Sequence, residues 1–296
     1  MEAGSITERP DGRSNFEGGD LRDRLHAMWA AVAPAWEEHS AYADARGAGI
    51  ADRMLELTSP APGERVLELA CGPGALGLAA AARVAPGGEV VLSDVAGGMT
   101  AIASARAGDL GLTNVRALVL DLEDIAQPDD AYDVILCREG LMFATDPARA
   151  AREIARVLRP GGRVAIGVWG PRERNPWLGV VLDAVAAQLG RPVPPPGIPG
   201  PFSLSDADEL AAHLSAAGLT DVTVGELAVP LRAASFEEWW ERTSALAGPL
   251  AAILPSLPVP ARQAIVGRLR EATRGYRTPA GLEFPGVSLI AAARRP

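Results

Sequence analysis

Apolar residues in this chain gather in short runs that alternate with longer, half-polar segments. Val66, Leu67 and Leu69 make a run too brief for a helix, and Gly72 and Gly74 end it. The Ala-rich stretch from Ala75 to Arg83 then reads as a helix. The same rhythm repeats: a strand over 89–93 ends at Asp94 and precedes a helix over 99–107. A strand over 115–120 ends at Asp121, and a fourth covers 132–137. Pro147 opens a helix reaching Leu158, and Pro160-Gly161-Gly162 turns the chain into a fifth strand over 163–169. Connections of a few residues between alternating elements predict an α/β fold, a parallel sheet with helices on both faces.

The flanks behave differently. Residues 1–19 are polar and Gly-rich and predict a disordered tail. Asp20 is placed to cap a helix carrying Leu21, Leu25, Met28, Trp29 and Val32, which Pro34 is expected to interrupt. A second helical piece with Trp36, His39 and Tyr42 follows, so residues 20–58 read as a helical cover over the fold. Beyond Trp169 come a helix over 177–189, a Pro-rich semi-rigid loop over 191–201 and a helix from Ser205 or Asp206 to Ala217. A sixth strand spans 222–229, two helices fill 235–275, and a last strand covers 287–292. The organisation is one domain over 59–296, with cap insertions at about 171–203 and 231–284.

Composition narrows the class. With 48% hydrophobic and 22% charged residues, the 296-residue chain has ample core. A net charge of −9 and the lack of any long basic run argue against a nucleic-acid partner. No apolar run nears the roughly 18 residues of a membrane span, and the polar, acid-bearing N-terminus does not resemble a signal or transit peptide. A cytoplasmic protein with no membrane association is the expectation. Cys71 and Cys137 end buried strands and read as core thiols, and no metal site is expected.

A glycine turn between a strand and a helix lets a ligand approach backbone N–H groups without a Cβ in the way. Gly72, Gly74 and Gly77 also fit a dinucleotide pattern, which alone is a weak signal. Glu68, four residues before Gly72, would repel a pyrophosphate and hold a cationic amino group. Asp94 lies about 20 residues past the turn, where an acid takes the hydroxyls of a ribose. Asp121, with the backbone of Leu122, is placed to meet an adenine edge. Together they describe S-adenosylmethionine.

These residues resemble the class I S-adenosylmethionine-dependent methyltransferases, in particular the ubiquinone/menaquinone-biosynthesis group. Residues 66–74 (Val-Leu-Glu-Leu-Ala-Cys-Gly-Pro-Gly) are similar to the first motif, Asp121-Leu122-Glu123 to the adenine motif, and Leu158-Arg159-Pro160-Gly161-Gly162 to the turn before the fifth strand. The resemblance covers residues 64–169. It implies a Rossmann-like, seven-stranded, mostly parallel sheet whose last strand is antiparallel. It also implies a cofactor set of Glu68, Ala70, Gly72, Pro73, Gly74, Asp94, Met99, Asp121, Leu122 and Cys137. Between the sixth and seventh strands, where the family has a hairpin, about 50 residues intervene and predict a helical cap.

Methyl transfer needs the acceptor held in line, and a general base only when the acceptor is a hydroxyl or acidic carbon. His39 in the cover and Glu139 after the fourth strand are the catalytic candidates, while His26 and His213 read as solvated. Trp36, Tyr42, Met142 and Trp177 are the substrate-lining candidates, with Phe143 and the Trp239–Trp240 pair as further aromatics. The partner class is a small, partly apolar acceptor, and a homodimer is carried as the candidate assembly. An NAD(P)-dependent oxidoreductase and a non-methylating S-adenosylmethionine-binding protein remain as alternatives.

Overall fold

The computed structural model describes residues 18–296. The tail expected over 1–19 lies outside the described residues up to position 17, and residues 18 and 19 already belong to a helix. Helices α1 (Gly18–Glu38) and α2 (Ser40–Thr58) precede the sheet. Contrary to expectation, α1 runs through Pro34. Burial of its neighbours Val32 and Ala33 outweighs the roughly 3 kcal/mol that an internal proline costs.

The alternating stretch comprises β1 (Arg65–Leu69), α3 (Ala75–Val84), β2 (Glu89–Asp94), α4 (Gly97–Asp109), β3 (Val115–Val119), β4 (Tyr132–Arg138), α5 (Pro147–Val157) and β5 (Leu158–Trp169). It continues with α6 (Pro176–Leu189), α7 (Ala207–Ala216) and β6 (Thr220–Ala228). The insertion before the last strand holds β7 (Leu231–Ala233), α8 (Phe236–Leu246), α9 (Gly248–Ile253), α10 (Val259–Ala272), β8 (Arg277–Thr278) and β9 (Gly281–Phe284). Strand β10 (Val287–Arg294) closes the chain.

Seven strands form one sheet in the order β3-β2-β1-β4-β5-β10-β6. Neighbours from β3 to β5 pair in parallel, whereas β10 runs antiparallel to both β5 and β6. Val66, Leu67, Val90, Val91, Ile135 and Leu136 are fully buried, as expected of strands covered on both faces. The chain steps outward from β1 to β3 and then returns to β4 on the other side of β1. That reversal opens a crevice at the C-terminal edge between β1 and β4, where such sheets take their ligands.

Two local expectations change. Strand β5 begins at Leu158, ahead of the Pro160-Gly161-Gly162 turn. Gly161 adopts φ +75° and the β4–β5 register shifts between Tyr132 and Val134, so the turn is a bulge within the strand. The late insertion holds three α-helices rather than two, plus a three-stranded sheet ordered β7-β9-β8. Those strands span two to four residues each, too short to show an alternating pattern. Trp239 is buried in the cap beside Phe236 and Phe284, its ring centroid 5.6 and 5.1 Å from theirs.

Candidate functional site

The loop after β1 is tightly wound. Ala70 and Gly72 both have φ +51°, and Gly74 has φ +86° and caps α3. A Cβ on Gly74 would sit 2.9 Å from Cβ of Ala103, so this glycine lets the loop rest on α4. Arg106 donates to the Pro73 carbonyl at 2.7 Å and pairs with Asp44 of α2, tying the turn to the N-terminal cover. Glu68 stands beneath the loop, 1% exposed, and does not line the cavity above it. Its Oε2 accepts from Gly77 N at 2.8 Å, one of the free N–H groups of the first turn of α3. A Cβ on Gly77 would lie 2.6 Å from that oxygen, so the third glycine makes room for the acid. The carboxyl thereby fastens the helix start to the strand beneath the glycine turn. Burial pushes it up to about 7.

Asp94 ends β2 facing the cavity and is 8% exposed. Its carboxylate accepts from Gly72 N at 3.0 Å and from Ala96 N at 2.9 Å, joining the glycine turn to the start of α4. Burial raises its pKa above the ordinary aspartate value, against those two backbone bonds. Met99 lines the same wall and packs with Val32 and Ala33 of α1. Asp121 and Leu122 lie at the far end of this edge. Asp121 accepts from Arg22 Nε at 2.9 Å and lies 3.3 Å from Nε2 of His26. His26, read from sequence as solvated, thus turns inward together with Arg22. What sequence spacing hid is that α1 crosses over the third strand's end.

On the other side of the crevice the cavity widens into an aromatic chamber. Trp36, Tyr42, Met142 and Trp177 all line it, together with Phe143 and Trp169. The indole N–H groups of Trp36 and Trp177 are held, donating to the Leu246 carbonyl at 3.1 Å and to Asn175 Oδ1 at 3.2 Å. Asn175 is fully buried and also donates to the carbonyls of Gly170, Pro171 and Val287, locking the start of α6 to β5 and β10. Glu139 lines the chamber with φ +58°, and burial raises its carboxyl above the usual glutamate range despite nearby Arg46 and Arg138. A non-glycine residue held in that conformation is strained, which turns its side chain out of the strand direction.

Besides Glu68, the candidates His39, Gly74, Cys137 and the Trp239–Trp240 pair fall outside the cavity lining. His39 sits at the α1–α2 joint, so Glu139 is the remaining member of the catalytic pair within the chamber. Gly74 lies under the loop, as described. Cys137 is fully buried with its thiol pushed up to about 12 by burial. Trp239 belongs to the cap core and donates to the Trp177 carbonyl at 3.2 Å. Among the described residues no cluster of His, Cys, Asp and Glu is arranged to hold a metal ion.

The lining fits an adenosyl sulfonium. Gly72 presents bare backbone to the cavity, two carboxylates stand at the ends of β2 and β3, and a separate apolar chamber adjoins them. Residues 66–162 match the family described as "Methyltransferase domain". The chain is 35% identical over 198 residues to nocamycin O-methyltransferase of Saccharothrix syringae, covering 64% of this chain and 70% of that one. It is 38% identical over 130 residues to the ubiquinone/menaquinone biosynthesis C-methyltransferase UbiE of Ectopseudomonas mendocina, covering 44% of this chain and 50% of the relative. The YcgJ protein of Bacillus subtilis shares the fold at a TM-score of 0.58 and 23% identity, over 83% of this chain and 98% of that one. Sheet order, glycine turn and relatives converge, and the chain belongs to the S-adenosylmethionine-dependent methyltransferases.

Proposed function

We propose that this enzyme transfers a methyl group from S-adenosylmethionine to a small, largely apolar molecule seated in the chamber under the cap. One observation carries the reading. A single cavity joins the edge bearing Gly72, Asp94 and Asp121 to the chamber bearing Tyr42, Met142 and Trp177. Cofactor and acceptor would therefore meet inside one enclosure. Asp94 would take the ribose, Asp121 and the Leu122 backbone the adenine, and the Ala70–Pro73 backbone the amino-acid tail.

The bound cofactor supplies a methyl group already activated on a sulfonium. This chain's task is to place the acceptor. The edge of Trp169 against Trp177, with ring centroids 5.1 Å apart, and the Asn175 clamp fix one wall of the chamber. Holding two reactants in line is worth up to roughly 7–11 kcal/mol. Helices α1, α8 and α9 pack together above the site, where they would limit the access of water. Glu139 is the proposed proton acceptor for a hydroxyl or acidic carbon, because burial favours its taking up a proton. Glu139→Gln should lower kcat by about 10²–10⁴-fold while leaving cofactor affinity unchanged. An unchanged kcat would remove it from the mechanism.

Calorimetric titration with S-adenosylhomocysteine, with NAD in parallel, tests the cofactor assignment. Saturable binding of the first alone is expected. Binding of NAD alone would hand the site to the oxidoreductase reading. A subsequent screen of acceptors by mass shift on methylation identifies the substrate.

A further inference from the structure

Positive charge is left over in the chamber after every internal partner has been assigned. Arg46 projects from α2 between two indole rings, its Cζ 4.3 Å from the centroid of Trp169 and 4.2 Å from that of Trp177. Such stacking holds a guanidinium plane while leaving its edge free to donate. Nε and Nη2 of Arg46 are buried without a hydrogen-bond partner among the described residues, and so is Nη1 of Arg138. Buried donors are normally paired, and leaving one unpaired costs about 1–3 kcal/mol. Elsewhere in the fold the comparable arginines are satisfied: Arg106 by Pro73 and Asp44, Arg156 by Glu153 and Asp129, Arg163 by Glu64.

Two further features single this pair out. Arg46 and Gly47 are consecutive on α2, and a Cβ on Gly47 would overlap Nη1 of Arg138, so the second guanidinium lies against bare helix backbone beside the first. Glu139 is the one carboxylate between them, and no hydrogen bond or ion pair joins it to either arginine among the described residues. Arg242, the third arginine lining the chamber, is already paired with Glu238 at 2.5 Å. Arg138 also feels the buried Glu68 beneath the glycine loop, so the unpaired donors of Arg46 carry most of the spare positive charge in the chamber lined by Met142, Phe143 and Leu178.

We propose that Arg46 and Arg138 form an anion subsite that grips a carboxylate on the methyl acceptor, making the acceptor an acidic molecule with an apolar body. This rests on reading the chamber as the acceptor site. The stacking partners of Arg46 lie at the end of β5 and on α6, across β4 from Gly72, Asp94 and Asp121. That position assigns the subsite to the acceptor rather than to the cofactor's own carboxylate.

Benzoate and its neutral isostere benzamide are small enough to probe the subsite without knowledge of the natural acceptor. Each is titrated into protein saturated with S-adenosylhomocysteine, with indole N–H resonances of Trp169 and Trp177 as the readout. Benzoate should bind saturably and about 10–100-fold more tightly than benzamide, the range expected of a charge-assisted, bidentate contact. That preference should vanish in Arg46→Gln and in Arg138→Gln. Arg46→Gln should still bind S-adenosylhomocysteine as the native protein does, which shows that it is folded and its cofactor edge intact. Equal binding of the two probes, no saturable benzoate binding up to its solubility limit, or a preference that survives both substitutions would overturn the proposal. So would benzoate binding that S-adenosylhomocysteine abolishes, since the anion site would then be the cofactor's. Failure of the native protein to bind S-adenosylhomocysteine at all is a different result, one that strikes the methyl-transfer reading itself.

Discussion

Two halves of one crevice handle charge in opposite ways. Along the ends of β1, β2 and β3, Glu68 accepts from Gly77 N, Asp94 from Gly72 N and Ala96 N, and Asp121 from Arg22 and Glu123 N. Glu123 accepts from Thr145 and Asp146 N. Past β4, the Arg46 and Arg138 guanidiniums keep buried donors with no partner among the described residues. The first half spends its acids on fixing its own loops, so it is organised before any ligand arrives. The second half keeps polar capacity in reserve, which costs stability and is retained where a ligand completes the pairing.

The sharpest way to break this contrast is to remove the charge from Glu68. Its folded pKa of about 7 lies above the ordinary value of 4.5. Between those values the unfolded chain has lost a proton that the folded protein keeps. Stability therefore falls as pH rises from about 4.5 to 7, and the full penalty persists above 7. Glu68→Gln retains an oxygen that can accept from Gly77 N and carries no charge at any pH. In the cofactor-free protein the variant should gain about 3 kcal/mol over the native chain between pH 4.5 and pH 8, read from urea midpoints. A difference that does not vary with pH would mean that Glu68 is not a buried, hard-to-ionise acid.

Asp94 is the next test, because it is the edge acid that both organises the loop and faces the cavity. Asp94→Ala strips the acceptor from two backbone N–H groups and removes the proposed ribose contact. Affinity for S-adenosylhomocysteine should fall about 100-fold by calorimetry, with no change in the preference for benzoate over benzamide. Loss of both together would mean that the two halves are not independent.

The same contrast explains what could be read from the chain before folding. Each member of the cofactor edge lies within a local strand–turn or strand–helix unit, so the acids at 68, 94 and 121 could be picked out by position alone. Their partners are partly hidden: sequence cannot show that Gly77 is bare so that Glu68 can reach the helix start. The chamber is built from α1, α2, β4, β5, α6 and α8, with contacts as far as 210 residues apart, as between Trp36 and Leu246. Trp177 and Tyr42 could be guessed as aromatics, but nothing local says that Arg46 sits between two indoles. His39 is a candidate because it lies in the N-terminal cover, and the α1–α2 joint carries it out of the cavity lining. Trp239 was indistinguishable from Trp177 in sequence, since one residue faces the cap core and the other the chamber only once the short β7-β9-β8 sheet exists.

The smallest expected effect lies at the contact between α1 and the end of the third strand. Arg22 and Asp121 remain about one-fifth exposed, and His26 about one-third. Ion pairs at such exposure contribute roughly 0–1 kcal/mol and are screened by salt. Helix α1 does not depend on them, because Val32 and Ala33 are buried against Met99 and Ile102, and a Cβ on Gly98 would sit 2.9 Å from Ala33. Arg22→Ala should therefore leave the unfolding midpoint nearly unchanged and alter affinity for S-adenosylhomocysteine by less than about 5-fold, with the difference shrinking at high salt. A larger loss would show that Arg22 helps to form the adenine end of the site. A gain would show that the pair with Asp121 competes with the cofactor, and the edge would then hold one acid in reserve just as the chamber holds its arginines.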